Sequence, residues 1–316
     1  MNNKPLVSIL INNYNYGRFL KDAIASALNQ SYQPIEVIVV DDGSTDNSRE
    51  IIVSFGDRIK TILKENGGQA SAFNQGFASS QGEIICFLDS DDLFKPDKVA
   101  EIVHDFQKDQ EIGWHFHHLE LFGSQVEANT QETDTNSPNL SGIYNLIPHI
   151  RRGKLSKTLP FELSTATSAM SFQRSLLEKI LPMNEKIRIT SDDYIKYAAL
   201  GISKGFISFQ SLAQQRIHGN NAYTAKPAIE KLRAITQVLT ASNLREKFPE
   251  LSKFSNNLTA LAITIDWRIE KDNVDLRNLI NSYLMKTTFL EKLKIYAKAT
   301  YHRYIRHHLT NFRLKR

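Results

Sequence analysis

Apolar and polar positions alternate in a regular way along the first 110 residues. Four nearly continuous apolar runs, over residues 6–11, 35–40, 59–63 and 84–88, predict buried strands. Between them the apolar residues recur at helical spacing, which predicts helices over 18–29, 47–55 and 70–79. Strands of this kind, alternating with helices, indicate an α/β fold with a mostly parallel sheet flanked by helices on both faces.

The pattern changes twice further along the chain. Strands are predicted near residues 115–118 and at 206–209, and helices at 174–181 and 194–201, whereas the Ser/Thr-rich run 161–172 fits a loop or a strand. From residue 226 onward the apolar stripes have helical spacing throughout. We therefore expect one domain over 1–225, with halves at about 1–112 and 113–225, and an all-helical C-terminal extension over 226–316.

Three of the predicted strands end in strongly polar loops. Residues 12–16 read Asn-Asn-Tyr-Asn-Tyr, residues 41–46 read Asp-Asp-Gly-Ser-Thr-Asp, and residues 89–92 read Asp-Ser-Asp-Asp. Ligands of parallel sheets bind at the carboxyl ends of the strands. We therefore expect the three loops to form a single site.

The loop at 89–92 has the most specific chemistry. Crowded carboxylates raise one another's proton affinity, and hard cations such as Mg²⁺ and Mn²⁺ neutralise them. The alternative is that one Asp caps a helix beginning near Pro96 while the others are simply solvated. Asp192 and Asp193 immediately precede the helix predicted at 194–201. A helix cap requires only one carboxylate, so capping does not account for both.

Two histidine motifs are weaker candidates. His115 and His117 lie on one face of a predicted strand and could bind a metal. No further ligand is obvious nearby, so a position on the strand surface, or in support of other ligands, is favoured. His218 lies in a polar loop and is a candidate site residue only because acidic motifs precede it.

Composition limits the function classes. The chain has 316 residues, 41% of them hydrophobic, a net charge of +5 and a single cysteine, Cys86, inside an apolar strand. These values predict a globular core, no disulfide within the chain, an inert buried thiol and no nucleic-acid partner. No signal-like segment or 20-residue apolar run is present, so we expect a cytoplasmic protein.

The last predicted helix is amphipathic and basic. Its apolar stripe includes Leu290, Leu293, Ala297 and Tyr301, and cationic side chains surround it. Such a helix can lie on an anionic membrane surface, here the inner face of the membrane, or dock on the protein with its charged face in water. Both alternatives stay open, and so does the oligomeric state.

Taken in order and spacing, the motifs resemble a known family. Residues 7–15, 40–46, 67–76 and 87–92 resemble the family-two glycosyltransferases, which have the Rossmann-like GT-A fold, and the resemblance resumes at 191–193 and 216–220. It implies an inverting enzyme that uses a nucleotide-sugar donor. Four residues are implied to bind the nucleotide: Asp42 and Tyr14 at the base, Asn12 through its backbone, and Asp89 at the ribose.

The resemblance also implies a metal site and a catalytic base. Asp91 would bind Mn²⁺ or Mg²⁺, assisted by Asp89, and His218 matches a position that contacts the metal or the diphosphate. Asp193 matches the base that takes the proton of the acceptor hydroxyl, with Asp192 as the near alternative.

Two departures from the family pattern narrow the expected function. Phe73 stands where many members have Arg or Lys, and the Gln-x-x-Arg-Trp motif of processive synthases is missing. We expect a non-processive transfer, with UDP as the likeliest nucleotide, to a hydroxyl of a glycan or lipid-linked glycan. The alternatives are an inactive nucleotide-sugar-binding protein and a sugar nucleotidyltransferase. The second would need a Gly-rich, cationic loop after the first strand, which residues 12–17 do not provide.

Overall fold

The computed structural model describes residues 4–123, 141–154, 166–218, 228–269 and 273–313, with the side chains of the last helix described up to Tyr304. The polar segment 124–140 and the predicted domain boundary near 225 lie outside these residues. The division of the chain at that boundary therefore stays a prediction.

The first half of the fold is a parallel α/β unit. Its elements are β1 (Val7–Asn13), α1 (Gly17–Leu28), β2 (Ile35–Asp42), α2 (Ser48–Ser54), β3 (Lys60–Lys64), α3 (Gln69–Ser79) and β4 (Ile84–Asp89). The strands pair in parallel in the order β3-β2-β1-β4, with Val7 opposite Ile35 on one side and Ile84 on the other. All four predicted strands are confirmed. Their apolar residues lie on both sides of the sheet because helices cover both of its faces.

The second half extends the same sheet. Its elements are β5 (Leu93–Phe94), α4 (Lys98–Phe106), β6 (Ile112–Phe122), β7 (Gly142–Tyr144), α5 (Ile147–Arg151), β8 (Met170–Gln173), α6 (Arg174–Ile180), α7 (Ser191–Ile202) and β9 (Lys204–Arg216). The full order is β3-β2-β1-β4-β8-β6-β9-β5. Strand β8 is antiparallel to β4 and β6, β9 is parallel to β6, and β5 and β7 pair antiparallel with β9.

Two differences from the sequence-based expectation have a clear structural cause. The helix expected to begin at Pro96 begins at Lys98, because Leu93 and Phe94 pair with Ala213 and Gln214 of β9. The ambiguous Ser/Thr-rich run contains a 3-10 turn over Thr167–Ala169 that leads directly into β8. Both differences arise from partners that lie far away in the sequence.

Four helices complete the described chain: α8 (Ala228–Lys247), α9 (Ser252–Asp266), α10 (Val274–Met285) and α11 (Phe289–Arg313). The predicted all-helical extension is therefore confirmed. Its apolar side chains join the core that covers one face of the sheet, continuous from Leu10 and Phe87 through Ile195 to Val238 and Ile263. The other face is covered by α1 and α4.

The apolar stripe of α11 faces away from the rest of the described chain. Ile295 and Ala299 are buried, whereas Leu290, Leu293 and Tyr301 are each more than half exposed. Docking on this chain therefore does not account for the stripe within the described residues. None of the described helices is long and apolar enough to cross a membrane.

Candidate functional site

The three polar loops meet at one edge of the sheet, as expected. They line a cleft of about 560 Å³ at the carboxyl ends of β1, β2 and β4. All four residues predicted to bind the nucleotide line it, as does Asp91. The cleft also contains residues that the sequence did not indicate as ligands: Asn66, Gln69, Arg188, Ile189 and Gln215.

Asp42 is held tightly by the chain that surrounds it. One carboxylate oxygen accepts the Gly67 N–H at 2.8 Å and the Lys64 ammonium at 2.6 Å. The other accepts the Gly68 N–H at 2.7 Å and the Asn66 side-chain amide at 3.1 Å. A carboxylate has about four acceptor positions. An additional N–H donor, such as that of a nucleotide base, must therefore displace one of these four, and Lys64 has the longest and most flexible side chain among them.

The Gly67-Gly68 turn connects Asp42 to the segment before α7. Gly68 has φ +88°, and a Cβ atom there would lie 2.8 Å from the Arg188 Cα. Only glycine accepts both the left-handed backbone and this close approach. The Gln69 N–H then donates to the Arg188 carbonyl at 2.9 Å, and the Gln69 side chain accepts the Ser191 N–H at 2.9 Å. This turn therefore positions Arg188 beside the cleft.

The carboxyl end of β1 contains an unpartnered amide beside the cleft. Both polar side-chain atoms of Asn12 are inaccessible to solvent and make no hydrogen bond within the described residues. Tyr14 leaves 48% of its surface exposed at the same cleft. Burial, followed by the nearby Asp91 and Asp89 carboxylates, raises the pKa of Tyr16 to about 12. A buried amide without partners is costly, so Asn12 is suited to a bound ligand.

The acidic loop after β4 lacks comparable neutralisation. Burial, and then the charges of Asp92, Asp91 and Asp192, raise the pKa of Asp89 well above its usual range. Burial and Asp91 raise the pKa of Asp92 to about 7, although Asp92 accepts hydrogen bonds from the Ser168 hydroxyl at 2.7 Å and the Arg216 N–H at 3.0 Å. The loop therefore has a high affinity for protons or for a cation.

Ser168 and Lys98 support this loop from below. The Ser168 hydroxyl oxygen accepts a hydrogen bond from the Asp89 N–H at 3.0 Å, and the same hydroxyl donates one to the Asp92 carboxylate. The Ser168 carbonyl accepts the fully buried Lys98 ammonium at 2.7 Å, and burial lowers the pKa of Lys98 to about 7. The sequence did not predict either role. The Ser/Thr-rich composition of residues 161–172 was the only signal.

His218 faces Asp91 in a defined tautomer. An arginine can only donate, so the 3.2 Å contact from Arg18 makes His218 Nδ1 an acceptor. His218 Nε2 therefore carries the proton and donates to Asp91 Oδ2 at 3.1 Å. In this geometry His218 orients Asp91, and binding a metal through Nε2 would require the other tautomer.

The donor set of the acidic loop fits a hard divalent cation. Among the described residues, no group of three or more His, Cys, Asp or Glu side chains is arranged around a common metal position. Magnesium-type sites commonly use one or two carboxylates together with substrate phosphates and water. Asp91 and Asp89, at the cleft and with the raised proton affinity of Asp89, match that pattern.

The His115–His117 pair is not a surface feature, and the predicted surface position is wrong. Both rings are fully buried in the core. His115 Nε2 contacts Asp105 at 2.9 Å, and His117 Nδ1 donates to the His118 carbonyl at 2.7 Å. Burial lowers the pKa of both rings, so they remain neutral packing groups. Cys86 is buried as predicted, and burial raises its pKa.

Asp192 and Asp193, at the start of α7, face different surroundings. Asp192 is close enough to Asp89 to raise its pKa, and burial together with Asp193 raises the pKa of Asp192 to about 6. Asp193 forms an ion pair with Lys196 at 2.6 Å and lines a second cavity on the other side of Thr190. Asp192 is therefore the carboxylate that is coupled to the acidic loop, whereas Asp193 lines the second cavity.

The chain is similar to known glycosyltransferases over most of its length. The model of Glycosyl transferase family 2 matches residues 8–181. An uncharacterized glycosyltransferase of Nostoc sp. is 38% identical over 237 residues, covering 73% of this chain and 71% of that protein. One of Rickettsia typhi is 32% identical over 234 residues, covering 72% and 68%.

Solved structures share the fold. S. aureus TarS 1-349 in complex with UDP has a TM-score of 0.54 at 15% identity, covering 90% of this chain and 76% of that one. The mannosyltransferase PcManGT from Pyrobaculum calidifontis, in complex with GDP-Man and Mn²⁺, has a TM-score of 0.53 at 15% identity, covering 98% and 83%. At this identity the likeness concerns the fold alone.

Proposed function

Because the chain belongs to glycosyl transferase family 2 and is a glycosyltransferase, we propose that it moves a sugar from a nucleoside diphosphate, UDP in the first place, to a hydroxyl of a glycan or lipid-linked glycan. The transfer is non-processive and inverts the anomeric centre. The observation that carries this proposal is the convergence of the three polar loops on one cleft. TarS has been solved with UDP and with UDP-GlcNAc, and PcManGT with GDP-Man, which supports this donor class.

The nucleotide is bound at the ends of β1 and β2. Tyr14 offers an exposed ring for stacking on the base. Asp42 accepts a base N–H if Lys64 moves aside, and the unpartnered Asn12 amide supplies a donor and an acceptor of its own. Asp89, at the adjacent strand end, contacts the ribose.

Asp91, with Asp89, would hold Mn²⁺ or Mg²⁺, and His218 orients Asp91 through its Nε2 proton. A metal bound there supplies Lewis-acid stabilisation of the departing diphosphate. The cationic contact that Phe73 cannot make is assigned to Arg188, which is exposed, lines the cleft and contacts Asn66. Phe73 itself is buried against Phe87.

Asp193 is the proposed base. It takes the proton of the attacking hydroxyl while the oxygen bonds to the anomeric carbon, and the bond to the diphosphate breaks with its electrons on the leaving group. Asp193→Asn is expected to lower the transfer rate about 10²–10⁴-fold while UDP binding is retained. Asp192→Asn is the matched comparison. A larger rate loss in Asp192→Asn than in Asp193→Asn would move the base to Asp192.

Arg188 can be tested separately through the ligand. Arg188→Gln is expected to weaken UDP binding about tenfold and to leave uridine binding unchanged, because only UDP has the diphosphate. Lys186→Gln, an exposed neighbour outside the cleft lining, is the control. Equal weakening of UDP and uridine would contradict the assignment.

We propose that the exposed apolar stripe of α11 contacts an anionic membrane surface. Phe289, Leu290 and Leu293 are 73%, 66% and 51% exposed, and Lys292 and Lys294 lie beside them. Apolar side chains bordered by lysines suit a lipid surface with negative headgroups. Binding to vesicles containing phosphatidylglycerol should fall in Leu290→Ser/Leu293→Ser. Unchanged binding, or equal binding to vesicles of phosphatidylcholine alone, would reject this role.

A further inference from the structure

A second cavity lies beside the donor cleft, between the start of α7 and helix α8. Its volume is about 320 Å³, which is the space of roughly ten waters and enough for a sugar ring. Most of its lining residues carry polar groups, and they come from the turn before α7, from α7 and from α8: Thr190, Asp193, Tyr197, Arg233, Gln237 and Thr240. Leu258 of α9 adds an apolar contact.

Two polar atoms of this lining are inaccessible to solvent and have no hydrogen-bond partner within the described residues. Thr240 is 1% exposed, and its hydroxyl makes no hydrogen bond within the described residues. The same is true of the Gln237 side-chain carbonyl oxygen, which is also inaccessible to solvent. Unsatisfied buried polar atoms destabilise a fold by more than a hydrogen bond to them stabilises it. Two of them in one cavity point to a ligand with hydroxyl groups.

The cavity adjoins the proposed reaction centre. Arg188 and Ile189 line the donor cleft, whereas Thr190 and Asp193 line the cavity. Thr190 adopts φ +46°, a left-handed turn that a threonine rarely adopts. This turn directs consecutive residues to opposite sides of one thin segment. A hydroxyl bound in the cavity would meet the Asp193 carboxylate before it reached the donor.

We propose that this cavity is the acceptor subsite, and that it binds the sugar ring whose hydroxyl attacks the donor. The inference rests on the proposed function and extends it by naming the residues that recognise the acceptor. Gln237 Oε1 accepts a sugar hydroxyl, and Thr240 donates to a sugar oxygen. The attacking hydroxyl gives its proton to Asp193, so the helical extension forms part of the active site through α8.

The test uses variants that remove the two orphaned atoms. Thr240→Val keeps the shape of the side chain and removes only the hydroxyl, whereas Gln237→Leu removes the orphaned carbonyl oxygen together with the side-chain nitrogen. Thr240→Val should melt at or above the wild-type temperature, and Gln237→Leu should remain folded. Thr264→Val is the matched control, because Thr264 is also a buried helical threonine but already bonds the Ala260 carbonyl at 2.9 Å.

The probes are methyl glycosides of glucose, galactose, mannose and N-acetylglucosamine, titrated into the UDP-bound protein and followed by saturation-transfer NMR. At least one should bind the wild type, and its affinity should fall about tenfold in Thr240→Val and in Gln237→Leu but not in Thr264→Val. The inference is overturned if no glycoside binds, or if binding is the same in all variants. UDP binding in the same samples separates the two claims, because its absence would reject the proposed function itself.

Discussion

Two aspartate-rich loops flank β1 at the same edge of the sheet, and they differ in how their charge is neutralised. The Asp42 carboxylate accepts two backbone N–H groups, a lysine and an amide. In the loop after β4, burial and mutual repulsion raise the pKa of both Asp89 and Asp92. The chain completes the first site by itself, whereas the second requires a bound cation or protons. The first loop is therefore suited to fixed recognition and the second to charge stabilisation during transfer.

The largest expected difference between the loops is catalytic. Asp91→Asn should lower kcat/KM for donor turnover in Mn²⁺ about 10²–10³-fold, because it removes the proposed ligand of the charge-stabilising ion. Steady-state release of UDP from a UDP-sugar measures it. Asp57→Asn, in the exposed turn before β3, is the control and should retain wild-type turnover. Turnover of Asp91→Asn within a fewfold of wild type would contradict the assignment.

The free energy of unfolding should instead depend on Asp42 and not on Asp91. Asp42→Asn should lower the free energy of unfolding by about 3 kcal/mol, because it leaves buried N–H donors and Lys64 without a charged acceptor. Urea denaturation in EDTA measures it. Under the same conditions Asp91→Asn should be neutral or stabilising, because it relieves repulsion. An equal loss of stability in both variants would remove the distinction between the loops.

The third difference is pH dependence. Because the pKa of Asp92 is about 7 and that of Asp89 is also raised, their proton uptake in the folded state stabilises the metal-free protein as pH falls from about 7 towards 4. The same protons compete with a cation. The rise in melting temperature caused by Mn²⁺ should therefore be larger at about pH 8 than at about pH 6. Equal rises at the two pH values would show that these carboxyls do not govern metal binding.

The smallest effect concerns a single donor of the first loop. Lys64→Met should lower the free energy of unfolding by only about 1 kcal/mol, because two backbone N–H groups and Asn66 still bond Asp42. Lys60→Met, whose ammonium contacts the Ser79 carbonyl on the exposed edge, is the control. Urea titration of the two variants compares them. A loss as large as that of Asp42→Asn would mean that Lys64 alone neutralises the loop.

The sequence predicted the features that depend on neighbouring residues. Continuous apolar runs identified β1 to β4, and strand ends identified the three loops that meet in the cleft. Ser168 and Arg188 were not predicted, because they reach the site from distant segments through a 3-10 turn and a left-handed residue. Periodicity likewise identified α11 as amphipathic but could not show that its apolar stripe faces outward. The sequence likewise cannot show that the Thr240 hydroxyl has no hydrogen-bond partner within the described part of the chain.

The central claim is that Asp91 and the cleft together form a metal-assisted nucleotide site. Calorimetric titration of UDP, with and without Mn²⁺, into the wild type and Asp91→Asn tests it most directly. We expect Mn²⁺ to strengthen UDP binding to the wild type, and Asp91→Asn to keep the metal-free affinity but lose this increase. Binding that is independent of Mn²⁺ and identical in both proteins, or no binding of UDP, GDP or dTDP, would contradict it.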